Sequence, residues 1–420
     1  MKVLIVSASP GNGHNSTAKK IENKILSSHK DAEIKTVDMY KAYGSKFKAW
    51  TMDQGYAFAC NHIVGIYNHF FKKSEKNDYT TRDKCKANIE VYPMLHGLLT
   101  EIYEYKPDII VCTYIFTAVA INNLRRVYEI PAKVVCMTLD YGISPYWEST
   151  TRLDEMFITG EYMFKPFLEK GFTKQQLIIS GIPVGDEFSA KTDKEKARQK
   201  FGLENKFTVM MARSSFFSIK SEKLIKEFSK IKQPIQIIIC NGKDKKGKEK
   251  LDSLILKSNL PHKFLNLGFV SDEDFALLFD CSDVLITKGG GLTLTETITK
   301  GVPPIIIDKL PQQEIYNKKY LIENGAGLGV DRKNSISSRV NFLLTNPDEY
   351  EKLKKNIKKI QKVNVLDVFL SHFEKYPKAD YSNIPSLTDT KKQLINKIDK
   401  ARKQAVKFQK ITKRVKISQL

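Results

Sequence analysis

A chain of 420 residues, 41% hydrophobic and 28% charged, has the composition of a folded protein and is long enough for two domains, since single domains centre on about 100–150 residues. No apolar run approaches the roughly 18 residues that a membrane-spanning helix needs, so none is expected. The 69 basic residues against 47 acidic ones leave a formal net charge of +22, which favours an anionic partner, nucleic acid or a lipid surface, without choosing between them.

The first element is the apolar run KVLIV at 2–6, read as a strand, followed by the loop SASPGNGHNS at 7–16 and a helix-like segment. No small-residue cleavage site follows the run, so a cytoplasmic location is expected. A phosphate loop needs lysine and a hydroxyl residue after its last glycine, and here Gly13 is followed by His14 and Asn15. The dinucleotide pattern is matched by Gly11 and Gly13, but Ser16 holds the third glycine's place, although Asp38 lies at the spacing of a ribose ligand. His14 stands out. At a helix amino terminus the positive potential disfavours imidazolium and keeps a neutral base available near pH 7. A plain turn histidine is the other reading.

After the strand EIKTVD (33–38), residues 43–76 interleave Phe47, Trp50, Tyr56, Phe58, Ile63, Ile66, Tyr67, Phe70 and Phe71 with lysines. Such a segment suits a membrane interface or a lipid-sized groove, and equally a helical insertion packed on the sheet. Further strands follow at DIIVC (108–112), AKVVCMT (132–138), EMFIT (155–159) and QLIIS (176–180), alternating with helix-length segments. Continuous rather than alternating apolar strands predict a parallel sheet covered on both faces. In TLDYGISPYWEST (138–150), Asp140 directly follows a strand and Trp147 is expected exposed beside a cleft, where it would stack on a sugar or meet acyl chains.

The stretch 185–206 is polar, charged and without strand pattern, and is read as a linker between a first domain at 1–184 and a second at 207–375. The second domain repeats the α/β alternation at FTVMM (207–211), IQIIIC (235–240), KFLNLGFV (263–270), DVLIT (283–287) and PPIIID (303–308). Two doubly wound domains follow, with ligands expected beyond the carboxyl ends of their strands. There, TKGGGLTLTE (287–296) sets Gly289, Gly290 and Gly291 between a strand and a helix, a natural place for a diphosphate. Glu296, about a turn into that helix, suits two ribose hydroxyls or merely the helix dipole. Gln313, Glu314 and Asn317, in DKLPQQEIYN (308–317), are candidates for sugar hydroxyls, or for an ordinary capped helix entry.

The last stretch, 376–420, is read as a basic tail. Residues 391–420 hold eleven Lys or Arg against Asp399 alone, and Leu394, Ile398, Ala401, Ala405, Phe408, Ile411 and Val415 recur at helical spacing. A membrane-surface helix is the expectation, with a solvated tail as the alternative. The six cysteines form no C-x-x-C pair and are read as buried thiols, and no acidic cluster calls for a metal.

Taken together, Ser7-Ala8-Ser9 with Gly11-x-Gly13-His14, Asp140 with Pro145-x-Trp147, Gly181-Ile182-Pro183-Val184, Thr287-Lys288-x-Gly290-Gly291-x-Thr293 with Glu296, and Pro311-x-Gln313-Glu314 with Asn317 resemble the monogalactosyldiacylglycerol synthase and processive diacylglycerol glucosyltransferase family. The motifs occur in the family's order over about residues 1–335. The resemblance implies an inverting glycosyltransferase of GT-B fold, two doubly wound parallel-sheet domains facing across a cleft. It implies a UDP-hexose donor, with glucose expected, and diacylglycerol or its glycosylated product as acceptor at an anionic membrane surface, without nucleic acid, cofactor or obligatory metal. By the same resemblance His14 is the acceptor-activating base, Gly290, Gly291, Thr293 and Glu296 hold the UDP moiety, Gln313 and Glu314 the hexose, and Phe269 and Val270 offer backbone to uracil. Gly13, Asp140 and Trp147 fall on the acceptor side.

Three positions depart from the family's pattern. The glycine-rich turn after the second domain's first strand is MMARSSFFS (210–218), so phosphate contact there falls to Arg213, Ser214 and Ser215; Ser144 stands three residues before Trp147 in place of histidine; and Gln312 replaces the glycine before Gln313. Two rivals remain open at this point: another GT-B enzyme, such as a sugar-nucleotide epimerase or a cell-wall glycosyltransferase, and a non-catalytic UDP-sugar sensor or scaffold.

Overall fold

The computed structural model describes residues 1–384 except 10–11, 214–218, 309 and, within 52–86, all but 55, 58, 64–66, 68–69 and 72; residues 385–420 lie outside it. Two six-stranded parallel sheets organise the chain. The first runs β2-β1-β3-β4-β5-β6, with β1 at Lys2–Ser7, β2 at Glu33–Asp38, β3 at Ile109–Cys112, β4 at Lys133–Met137, β5 at Glu155–Ile158 and β6 at Leu177–Ile179. The second runs β12-β11-β10-β7-β8-β9, with β7 at Thr208–Ala212, β8 at Gln236–Cys240, β9 at Lys263–Leu267, β10 at Val284–Thr287, β11 at Pro304–Ile306 and β12 at Leu328–Gly329.

Burial follows position in the sheet. β3 (IIVC), β8 (QIIIC) and β10 (VLIT), covered on both faces, are buried throughout, whereas the edge strand β2 (EIKTVD) leaves Glu33, Lys35 and Thr36 exposed. The strand order reverses between β1 and β3 in the first sheet and between β7 and β10 in the second. Loops leaving these pairs diverge to opposite sides of the sheet and open a crevice, the place where such sheets bind ligands.

The segment expected as a linker is structured. Helices Asp186–Ser189 and Lys194–Lys200 lie within it, and Phe188, Ala197 and Leu203 are buried in a cluster with Phe279 and Leu285 of the second domain. Its charges hold it there: Arg198, 5% exposed, meets Asp283 at 2.9 Å, and Lys300 donates to the Ala190 carbonyl and, at 2.8 Å, to Asp280. A polar sequence concealed this because the partners of its buried ions lie some 80 or more positions away. Nor does the second domain end in isolation near 375. Helix Val365–Phe373 packs against the first domain through Phe369 on Phe157 and a Lys24–Asp367 ion pair of 2.6 Å. Tyr381 and Ile384 then join the first domain's core, and the Ala379 amide donates to Asp108. The expected helix at 391–420 lies outside the described residues.

Candidate active site

At the first switch point, helix Asn12–Ser28 begins directly after the β1 loop and presents His14 in its first turn. Nδ1 of His14 lies 2.7 Å from the Thr113 carbonyl at the end of β3. A carbonyl only accepts, so Nδ1 carries the proton and Nε2 keeps the lone pair. The ring retains partial exposure, yet burial lowers its pKa from 6.5 to about 4 against the opposing pull of Thr113. His14 is therefore a neutral, oriented base at physiological pH. Among the described residues nothing lies within 4 Å of where a Cβ on the adjacent Gly13 would stand.

Asp38 takes a structural part. It accepts from Ser9 and, at 3.3 Å, from Asn15, while its other oxygen caps helix Met39–Tyr43 by accepting from the Tyr40 and Lys41 amides. Trp147 also departs from expectation. It is 6% exposed, in the 3-10 helix Pro145–Thr150 with its ring 6.0 Å from Phe167, and belongs to the core. An apolar indole gains more from burial than from a cleft edge. Beside His14 stands an aromatic series that the sequence did not announce: Tyr114 at 4.6 Å from its ring, Phe116 at 5.6 Å from Tyr114, and Tyr146 at 5.3 Å from Phe116, all partly exposed.

The second switch point gathers Arg213 from the end of β7 and residues 288–291 from the end of β10. Helix Gly291–Lys300 has no side-chain cap at its amino terminus, which leaves first-turn amides for an anion. The glycines serve different ends. A Cβ on Gly289 would stand 2.4 Å from the Glu314 carbonyl and one on Gly291 2.0 Å from that of Leu139, so both are required by packing, whereas Gly290 faces only Lys288 and Glu314 near 3.8–3.9 Å. Thr293 is partly exposed on the first turn. Lys288 donates to Glu314 Oε1 at 2.8 Å, while among the described residues Glu314 Oε2 is buried without a partner. Gln313 is partly buried at the start of helix Gln312–Glu323. Phe269 and Val270 follow β9, Phe269 with 71% exposure and Val270 packed on the core. Ser214 and Ser215 lie outside the described residues.

Glu296 is not open to a ligand in this arrangement. It is 6% exposed and faces Lys20 of the first domain at 3.5 Å. Burial raises its pKa, with Lys20 opposing. Elsewhere the domains are joined more tightly. Asn317, fully buried, donates to Asp140 Oδ1 at 2.7 Å and to the Gly289 carbonyl at 2.8 Å, and accepts from the Tyr141 amide at 2.6 Å. Tyr141 stacks on Tyr320 at 4.6 Å and hydrogen-bonds Thr295, while Gly142 fits only because it lacks a Cβ that would lie 2.4 Å from Tyr316. Burial raises the Asp140 pKa, opposed by Asn317 and Lys288. Through Asn317, Asp140 is thus linked to the glycine loop of the second domain. The insertion reaches this region too, since Asn68 donates to the Leu310 carbonyl at 2.8 Å.

Two doubly wound parallel sheets, with a neutral histidine at one switch point and an uncapped helix terminus with Arg213 at the other, have the architecture of the GT-B glycosyltransferases. Solved structures share the fold: MurG of Acinetobacter baumannii, at TM-score 0.58 and 13% identity over 89% of this chain and 100% of that one, and HepE of Anabaena in complex with UDP, at 0.52 and 16% over 89% and 99%. Residues 14–184 match the family described as monogalactosyldiacylglycerol (MGDG) synthase and residues 193–360 that described as glycosyl transferases group 1. The chain is thus similar to the MGDG synthase family over its first domain and to the group 1 glycosyl transferases over its second. Its relatives include the processive diacylglycerol beta-glucosyltransferases of Bacillus licheniformis, 28% identical over 374 residues (88% of this chain, 93% of that one), and Bacillus subtilis, 28% over 373 residues (88% and 94%).

Proposed function

We propose that this enzyme transfers a hexose, glucose in the first instance, from UDP to the free hydroxyl of diacylglycerol, with inversion, at the cytoplasmic face of the membrane. The observation that carries the reading is the neutral His14, held by Thr113 with Nε2 as its basic nitrogen, together with the relatives that bear this activity's name. A primary alcohol is a poor nucleophile until its proton is removed. His14 Nε2 takes that proton as the oxygen attacks the anomeric carbon from the face opposite UDP; the bond from that carbon to the diphosphate oxygen breaks, and UDP leaves with the electron pair. Arg213 and the first-turn amides of helix Gly291–Lys300 oppose the charge that develops on the diphosphate. Glu314 Oε2 accepts from a hexose hydroxyl. Glu296 takes the ribose once Lys20 yields it, so donor binding and the contact between the domains are linked.

Membrane contact falls to the insertion, where Phe47 and Trp50 of helix Lys46–Trp50 are 75% and 58% exposed, and to the basic tail. Among the described residues no helix is long and apolar enough to cross a bilayer. The deciding experiment follows labelled hexose from UDP-glucose and, separately, UDP-galactose into vesicles containing diacylglycerol. Label in the lipid supports the reaction and names the sugar. UDP-sugar binding without transfer to any lipid acceptor overturns it in favour of a binding protein.

A further inference from the structure

Where the family's glycine-rich turn would bring bare amides to a phosphate, β7 here ends in Arg213. Its Nη1 donates to Asn241 Oδ1 at 2.8 Å, at the end of β8. Asn241, 2% exposed, passes the contact on: its Nδ2 donates to Asn266 Oδ1 at 2.7 Å and to the Leu267 carbonyl at 2.9 Å, at the end of β9. Asn266 in turn donates to Asp252 Oδ1 at 2.7 Å and to the Lys248 carbonyl at 3.2 Å, and Asp252 is ion-paired with Lys248 at 2.7 Å. Across three adjacent strand ends every side-chain link runs in one direction, N–H to carbonyl or carboxylate, so the dipoles align and polarise one another.

This relay fixes the guanidinium without neutralising it. Among the described residues no carboxylate forms an ion pair with Arg213. Asp244 is the carboxylate whose charge reaches it, and Asp244 Oδ1 is engaged by the Gly247 amide at 2.9 Å. Among the described residues the Nε of Arg213 is buried with no partner. Arg213 as a whole is half-buried, so its remaining N–H groups can meet an anion, and a guanidinium suits phosphate oxygens through several N–H groups at once.

We propose that Asn241 is a positioning residue: backed by Asn266 and Asp252, it holds the Arg213 guanidinium at the β7–β10 switch point with its charge available, so that Arg213 takes the donor's diphosphate in place of the missing glycine turn. This rests on the reading that the donor is a nucleoside diphosphate sugar.

The test is calorimetric binding of UDP and of uridine to the full chain at several salt concentrations. In the wild type UDP should bind far more tightly than uridine, and the gap should narrow with salt. Asn241→Asp places a carboxylate on Arg213 and should weaken UDP about tenfold or more, while uridine affinity stays within about twofold. Should that variant fail to fold, Asn241→Ala is paired with Arg213→Gln in a double-mutant cycle. Asn241→Ala should cost UDP affinity when Arg213 is present and nothing further in Arg213→Gln. Equal losses for UDP and uridine, or the same loss in both backgrounds, would show a merely structural asparagine and overturn the proposal. A wild type that binds UDP no better than uridine would instead bring down the donor reading, and this inference with it.

Discussion

Asn317 of the second domain donates to Asp140 of the first at 2.7 Å, and the same amide nitrogen donates to the Gly289 carbonyl at 2.8 Å. One buried side chain thereby ties the glycine loop of one sheet to the β4 exit of the other. Asn317→Asp keeps the shape but sets an acceptor against a carboxylate and a carbonyl. Leaving such groups buried and unmatched costs roughly 3 kcal/mol or more. Because burial already raises the Asp140 pKa, the facing pair binds a proton more readily in the native state than unfolded. The loss should therefore be largest at neutral pH and shrink as pH falls toward the ordinary carboxylate range. Thermal unfolding of Asn317→Asp and Asn317→Ala from pH 4 to 8 checks this: the aspartate variant should be the less stable at pH 8 and recover towards the alanine variant at low pH.

In the proposed mechanism His14 sets the acid limb of the pH profile. Its pKa is lowered to about 4, so the native protein remains deprotonated there while an unfolded chain takes up a proton below about 6.5. Stability contributed by neutral His14 is complete above 6.5 and is lost as pH falls through the window down to about 4. The profile of kcat/KM should hold its acid side flat to near pH 5, and His14→Ala should lower kcat/KM by about 10²–10⁴-fold with UDP affinity unchanged. An acid limb at pH 6.5 would mean a solvated, ordinary histidine.

Much of this arrangement was legible in advance because a covered parallel sheet writes itself as β-branched runs: IIVC, VLIT and QIIIC could hardly be anything else. Leu328–Gly329 escaped notice as two residues carry no period. The places of His14 and the 288–291 loop could be read because both follow strands at a switch point. Trp147 was misjudged because hydrophobicity alone does not tell a cleft from a core, and burial of its ring on Phe167 is a tertiary fact. The Arg213–Asn241–Asn266 line was invisible for a similar reason: its members are 28 and 25 positions apart and meet only when β7, β8 and β9 align.

On the proposed function, Glu314 distinguishes a UDP-sugar from UDP. Oε1 is held by Lys288 at 2.8 Å, and among the described residues Oε2 is buried without a partner, which suits it to accept from a hexose hydroxyl in the proposed reaction. Glu314→Gln keeps the volume but weakens both roles. UDP-hexose should bind roughly tenfold more weakly while UDP alone is little affected, because a charge-assisted hydrogen bond contributes about 1.5–3 kcal/mol. Parallel titrations with UDP and a UDP-hexose test this, and equal weakening of both would place Glu314 in loop packing instead.

Membrane binding should resolve into an apolar and an electrostatic part. Phe47 and Trp50 are stacked at 6.3 Å on a short exposed helix, and apolar burial responds little to salt. The tail 391–420 carries eleven basic residues against one acid, and each near an anionic surface adds on the order of 1 kcal/mol, screened by salt. Changing Phe47 and Trp50 to serine should lower binding to vesicles at every salt concentration. Deleting 391–420 should lower it only with anionic lipid and low salt, leaving binding to neutral vesicles intact. Co-sedimentation over a salt series reads both. If the double serine variant binds neutral vesicles as the parent does, the insertion covers protein rather than lipid, and Asn68 on Leu310 then marks it as part of the wall over the sugar loop.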